Sequence, residues 1–157
     1  MTQRDEITVA PASAADAAEI ATLYLASRAA ALPYLRRVHS DADTRRWIET
    51  VMLTRGESWV ARIDGTILGF VTIEGENLEQ LYLRPGQERR GIGSRLLAQA
   101  KARSPGHLRL YTFQRNSAAR AFYEARGFRI VAMSDGSRNE EGEPDILYEW
   151  RGDVFAS

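Results

Sequence analysis

Two arginines and two glycines in close order carry the most specific chemical signal of the chain. In residues 81–97 a strand-like segment passes through Arg89-Arg90-Gly91-Ile92-Gly93-Ser94 into an amphipathic helix. Such a turn can hold phosphate. Gly91 and Gly93 let the backbone approach an anion closely, and the helix behind them offers its unpaired N–H groups and positive dipole end. Arg89 and Arg90 add fixed charge. Hydrogen bonds to charged groups contribute about 1.5–3 kcal/mol each. Four or five such donors would therefore supply most of the roughly 8 kcal/mol that micromolar affinity needs, before association entropy is subtracted. A helix cap with solvated arginines is the plainer reading of the same residues.

Other phosphate chemistries are disfavoured by what the run lacks. A Walker A loop needs Gly-Lys-Ser/Thr, and the chain contains no Gly-Lys pair. The dinucleotide fingerprint needs glycine where Leu96 stands. Lys101 is the sole lysine, which leaves Schiff-base chemistry almost no place, and the absence of cysteine excludes disulfides and thiolate metal sites. His39 and His107 lie too far apart to suggest a metal centre, so no metal is expected. The carboxylate-rich loop of residues 135–145 fails the EF-hand spacing, because Arg138 and Ile146 fall at ligand positions. It reads as a solvated loop, or as an attractor for a cationic ligand through Glu140, Glu141 and Asp145. His39, before a helix cap, is a further candidate contact or base.

The elements that must carry these residues follow from periodicity. Ile7 and Val9 mark a short strand; Pro11 and Ser13-Ala14-Ala15-Asp16 mark a stop and a capping box, opening a helix with Ala17, Ile20, Leu23 and Tyr24 inward. Pro33 ends that helix, residues 32–39 connect, and Ser40 caps a second one whose buried stripe is Trp47, Ile48, Val51 and Met52. Residues 58–64 and 66–74 form a hairpin on Asp64-Gly65, and residues 78–83 add a third strand. Ile92, Leu96, Leu97 and Ala100 face the core from the helix after the turn, which stops near Ser104-Pro105-Gly106. A strand at 108–113 follows by a helical crossover, so it should run parallel to 78–83. Asn116 or Ser117 caps a last helix with Ala118, Ala121, Phe122 and Ala125 buried and Gly127 at C′; strands at 128–133 and 146–150 close the chain.

At 157 residues the chain reads as a single domain, 1–157, with a core of its own. Its 21 basic side chains balance 21 acidic ones, giving no field that favours nucleic acid or an anionic membrane. Met1 to Ala10 lacks an apolar signal region and no apolar run is long enough for a membrane span, so a cytoplasmic location is expected.

The run R/Q-x-x-G-x-G/A between a strand and a helix resembles the pyrophosphate loop of the GNAT family of acyl-CoA-dependent N-acyltransferases. Glu88 departs from it, where that family usually has Gln or Arg. Residues 116–128, Asn-Ser-Ala-Ala-Arg-Ala-Phe-Tyr-Glu-Ala-Arg-Gly-Phe, resemble the family's N-x-x-A-x-x-F-Y-x-x-x-G-F pattern throughout. The element order β-α-α-β-β-β-α-β-α-β-β is that of the GNAT fold, so the resemblance covers nearly the whole chain. It implies an α/β fold of three layers, with a mixed, mostly antiparallel central sheet and helices on both faces.

The resemblance implies acetyl-CoA as acyl donor, bound in an opening between the strand before the loop and the strand after the helix. Leu81 and Leu83 would offer backbone groups to the pantetheine arm while their side chains remain core residues. Arg89, Arg90, Gly91, Ile92, Gly93 and Ser94 would hold the pyrophosphate. Asn116 would contact the pantetheine, and Tyr123 would protonate the departing thiolate or hydrogen-bond to it; packing beside Phe122 is its plainer role. The acceptor amine must lose a proton before it attacks. Alternation puts Asn77, Glu79, Leu81 and Leu83 on one strand face, so Glu79 is the expected base, directly or through water, with an exposed strand glutamate as the bland alternative. A backbone N–H near residues 81–83 would stabilise the oxyanion. The expected function is direct acetyl transfer to a primary amine of a small molecule or peptide, without a covalent enzyme intermediate. A non-catalytic acyl-CoA-binding module is the rival. Family members often dimerise, so a homodimer stays open.

Overall fold

The computed structural model describes residues 6–152; the first five positions of the N-terminal reading and the ends of the expected 1–157 domain lie outside them. Seven strands, β1 (Thr8–Pro11), β2 (Glu57–Ile63), β3 (Thr66–Glu74), β4 (Asn77–Leu83), β5 (His107–Phe113), β6 (Arg129–Ser134) and β7 (Asp145–Arg151), form one sheet in the order β1-β2-β3-β4-β5-β7-β6. All neighbours run antiparallel except β4 and β5, the pair joined by the crossover helix. The helices are α1 (Ala17–Ala31), α2 (Asp41–Trp47), α3 (Leu53–Arg55), α4 (Ile92–Arg103) and α5 (Ser117–Glu124). A π-type turn, Ile48–Met52, joins α2 to α3.

Two apolar clusters divide the sheet into faces. Ile20, Leu23, Ile48, Met52, Val60, Ile67 and Phe70 pack on the α1 side. Val71, Ile73, Leu78, Ile92, Leu96, Leu97, Leu108, Leu110, Ile146 and Tyr148 pack on the α4 side. The result is the expected mixed, mostly antiparallel sheet with helices on both faces. Gly69 of β3 lets α4 come close: a Cβ there would lie 2.7 Å from Leu83 Cδ2 and 3.0 Å from Leu96 Cδ1.

Local signals act as their chemistry requires. Asp64 and Gly65, at φ 51° and 80°, supply the left-handed pair that a tight hairpin between β2 and β3 needs. The Asp16 carboxylate accepts from the Ser13 N–H at 2.9 Å, and Ser40 Oγ accepts from the Asp43 N–H at 3.1 Å. After α5 the Phe128 N–H donates to Tyr123 O at 3.1 Å, with Gly127 at φ 91°, so Gly127 does occupy C′.

Two burial expectations fail. Trp47 is 38% exposed: the π-type turn that follows it rotates the helix face, and Ile48 and Met52 take the core while Trp47 rests at the rim, 6.5 Å from Tyr24. In α5, Ala118, Ala121 and Ala125 point outward and Tyr123 is buried. The helix docks through its large rings, which remove far more apolar area from water than alanine methyls do.

Candidate functional site

The site begins where β4 and β5 part. Their register is a single pair, Asn77 with Arg109, fixed by the Arg109 N–H donating to Glu76 O at 2.9 Å. His107 holds the same end, with Nδ1 3.3 Å from Glu76 and Nε2 2.8 Å from Glu149 of β7. Beyond it the strands diverge, and among the described residues no strand pairs with the β5-facing edge of β4. A cleft of about 1000 Å³ fills the gap, walled by Glu79, Leu81 and Leu83 from β4, Thr112 from β5, and Asn116 and Tyr123 from α5. Leu81 and Leu83 pack partly into the α4-side core from the same positions.

Glu79 sits on an irregularity that alternation does not reveal. Thr72 of β3 pairs with Gln80 and Ile73 pairs with Leu78, which leaves Glu79 as the extra residue of a β-bulge. Hence Leu78, not Glu79, shares the core with Leu81 and Leu83, and the expected single face Asn77-Glu79-Leu81-Leu83 is broken. The bulge frees Glu79 from the ladder and leaves it exposed in the cleft wall. Desolvation by the surrounding walls raises its pKa above the ordinary carboxylate value, the Glu74 carboxylate adds to this, and Arg55 opposes it. A raised carboxylate pKa makes a stronger proton acceptor.

Tyr123 is wedged among Phe122, Phe128 and Tyr148, with ring centroids 5.1, 5.3 and 6.4 Å away. Burial, and to a smaller extent Tyr82, pushes its pKa up. No other described residue hydrogen-bonds its hydroxyl, and the side chain lines the cleft. It is a neutral phenol with an uncommitted donor, better suited to hydrogen-bonding an anion than to early proton release. Asn116 caps α5, its Oδ1 accepting from the Ala119 N–H at 3.2 Å.

At the other end of β4, Gly91 at φ 84° is the N-cap of α4, preceded by Arg89 at φ 70° and Gly86 at φ 86°. Arg89, Arg90 and Gly91 are exposed, whereas Ile92 and Gly93 are buried beneath them. A Cβ on Gly93 would lie 3.2 Å from the Phe122 ring, so its smallness lets α5 approach the first turn of α4. Glu88 folds back: its carboxylate accepts from the Gly86 N–H at 3.2 Å. Arg90 donates to Gln87 at 2.5 Å. Ser94 Oγ accepts from Arg126 at 2.9 and 3.3 Å, and the Arg126 guanidinium stacks 3.9 Å over Phe122. Sequence reasoning missed Arg126, which occupies an unspecified position of the N-x-x-A-x-x-F-Y-x-x-x-G-F pattern.

The residues expected on the acceptor side separate. Asp145 lies in the cleft wall, where it accepts from Ser134 Oγ at 2.5 Å and from the Asn139 amide at 3.2 Å. His39 and Glu140 pair at 3.0 Å on the surface, and Glu141 pairs with Arg28 at 3.3 Å. Arg28 also donates to the Tyr82 hydroxyl at 3.0 Å. Together with Arg115, bidentate to Glu143 at 2.7 Å and stacked over Tyr34, these pairs fasten the β6–β7 loop to α1 and the connector after it.

The peptidyl-lysine N-acetyltransferase YiaC of Escherichia coli K12 is 36% identical over 104 residues, covering 66% of this chain and 69% of that protein. The peptidyl-lysine N-acetyltransferase YjaB of Salmonella typhimurium LT2 is 32% identical over 78 residues, covering 49% of this chain and 53% of that one. Among solved structures, apo YjaB from Escherichia coli superposes with a TM-score of 0.77 at 20% identity, over 94% of this chain and 99% of that one. The PaiA N-acetyltransferase from Thermoplasma acidophilum, solved in complex with coenzyme A, superposes with a TM-score of 0.69 at 21% identity, over 93% and 99% of the two chains. Residues 19–128 match the Acetyltransferase (GNAT) family, and with a parted β4–β5 pair ending on a glycine-capped helix the chain belongs to that family.

Proposed function

We propose that this acetyltransferase moves the acetyl group of acetyl-CoA onto the ε-amine of a lysine in a peptide or protein. The observation that carries the reading is the parting of β4 and β5 after Asn77 and Arg109, with Glu79 on a bulge at one wall and Tyr123 at the other. The names of YiaC and YjaB, both peptidyl-lysine N-acetyltransferases, support the acceptor class.

The residues present suit the donor. Exposed Arg89 and Arg90, the helix N–H groups after Gly91 and the unpaired edge of β4 match a pyrophosphate followed by an amide-bearing arm. Acetyl-CoA supplies a thioester acyl group. Glu79 takes the proton that the ammonium must lose, directly or through water, aided by its raised pKa. Backbone N–H groups near Leu81 and Leu83 face the carbonyl oxygen, and the Tyr123 hydroxyl donates to the sulfur. The wall carboxylates Glu79, Glu88, Asp135 and Asp145, with Arg138 as the opposing charge, favour a cationic acceptor over an anionic one. Thiol release from acetyl-CoA in the presence of lysine peptides, set against spermidine and free amino acids, tests the reading. Release with polyamines alone would move the acceptor to small molecules, and release with none would support a non-catalytic acyl-CoA-binding module.

A further inference from the structure

In the half-sheet β5-β7-β6 one face of β5 and β7 is in the core, edge strand β6 is exposed on both faces, and the opposite face of all three strands is bare. Leu108, Leu110, Ile146 and Tyr148 bury the α4-side face. The residues alternating with them point the other way and align in three cross-strand rows. Phe113, Asp145 and Ser134 form the first, Tyr111, Leu147 and Ala132 the second, and Arg109, Glu149 and Arg129 the third. Successive rows on one strand face are about 6.8 Å apart. Tyr111 is 69% exposed, the most exposed large apolar side chain among the described residues.

The three rows differ in kind. All of the first row and all of the second row belong to the cleft wall. The third row is charged: Glu149 is engaged by His107 at 2.8 Å and Arg151 at 3.2 Å, and it is flanked by exposed Arg109 and Arg129. An apolar strip one row deep thus continues the cleft wall from the Asp145 row and stops at a charged border. Three strands at about 4.8 Å spacing make it roughly 10 Å wide, enough for one large side chain.

Resting on the lysine reading above, we infer that the Tyr111–Leu147–Ala132 row is a subsite for one apolar side chain of an extended acceptor segment, two residues from the lysine that enters the cleft. The row spacing equals the distance between alternate side chains of an extended peptide, about 6.8 Å. A lysine at the Asp145 row therefore puts its second neighbour over Tyr111. Continuity with the cleft and the carboxylates of its wall select a lysine-bearing peptide as occupant. The Arg109 and Arg129 border discourages a further basic residue beyond the apolar one.

The test uses two peptide pairs, identical except for Leu or Ser two positions before or two positions after a single lysine, and N-α-acetyl-lysine methylamide as a flank-free acceptor. Wild type and Tyr111→Phe should favour Leu over Ser in one of the pairs by about tenfold in kcat/KM, and Tyr111→Ala should reduce that preference to within about twofold. Equal use of all acceptors by wild type, or a Leu preference that survives in Tyr111→Ala, overturns the inference and leaves the lysine reading intact. Conversion of a dimer to a monomer by Tyr111→Ala, measured by light scattering, would assign the row to a second copy and also overturn it. Failure of wild type to acetylate any of these acceptors would overturn the lysine reading, and the subsite with it.

Discussion

Asn77 and Arg109 are the one register pair between β4 and β5, and the cleft opens beyond it. A parallel pair continued in register would bury the β4 edge in a ladder. Parting after one pair leaves that edge for a ligand, and the wall residues Glu79, Asn116 and Tyr123 follow from this divergence.

Glu79→Gln should lower kcat by about 100-fold or more while CoA affinity, measured by calorimetry, stays near wild type. In wild type, activity should fall as pH drops through a limb above 4.5, because the carboxylate must be unprotonated to accept the amine proton and its pKa is raised. The variant should lack that limb. A raised carboxyl pKa gives stability that is present at low pH and lost as pH rises through it; Glu79→Gln should therefore melt at or above the wild-type temperature at neutral pH.

Tyr123→Phe should reduce kcat by about 10- to 100-fold and leave the KM for acetyl-CoA within about twofold. The hydroxyl is bonded to no other described residue, so thermal stability should change little. A large fall in melting temperature with unchanged kcat would make Tyr123 a packing residue alone.

Signals that act over a few neighbouring residues are legible in the sequence alone. The element order, the Asp64-Gly65 hairpin, the Ser40 cap and the glycine-arginine turn before a helix are of this kind, and each lies at the position its residues mark. What escapes a sequence reading depends on distant partners. The bulge at Glu79 exists only in the β3–β4 register, so strict alternation misassigns its face. The α5 stripe fails because Tyr123 and Phe122 compete with alanines for one core. The carboxylates at 140 and 141 read as free charge, but arginine and histidine from before β2 engage them. The Tyr111 row arises because β7 inserts between β5 and β6, a pairing out of chain order that no local pattern announces.

Gly136→Ala should cost about 1–3 kcal/mol in denaturant unfolding. Gly136 has φ 88°, and a Cβ there would lie 2.6 Å from the Glu143 carbonyl oxygen, inside the loop that carries Asn139 and Glu143. The KM for the acceptor should rise more than that for acetyl-CoA, read from steady-state kinetics, if the loop's Asp135, Arg138 and Asn139 in the cleft wall meet the acceptor as proposed.

Glu88→Gln should tighten CoA binding about two- to fivefold at low salt, since a carboxylate beside Arg89 and Arg90 repels the pyrophosphate while glutamine keeps an acceptor for the Gly86 N–H. The gain should shrink at 0.5 M salt, where the Debye length is about 4 Å. Calorimetric titration at both salt concentrations reads it.

In the proposed reaction the acetyl group passes directly from a thioester in the β4–β5 opening to a lysine amine. Incubation of the protein with acetyl-CoA and a lysine peptide, followed by thiol titration and mass spectrometry of peptide and protein, addresses it most directly. One thiol released per acetyl group on the lysine ε-nitrogen, with the protein itself unmodified, is the expected result. Tight acetyl-CoA binding with no thiol released to any amine, or an acetyl group retained on the protein as an obligatory intermediate, would contradict it.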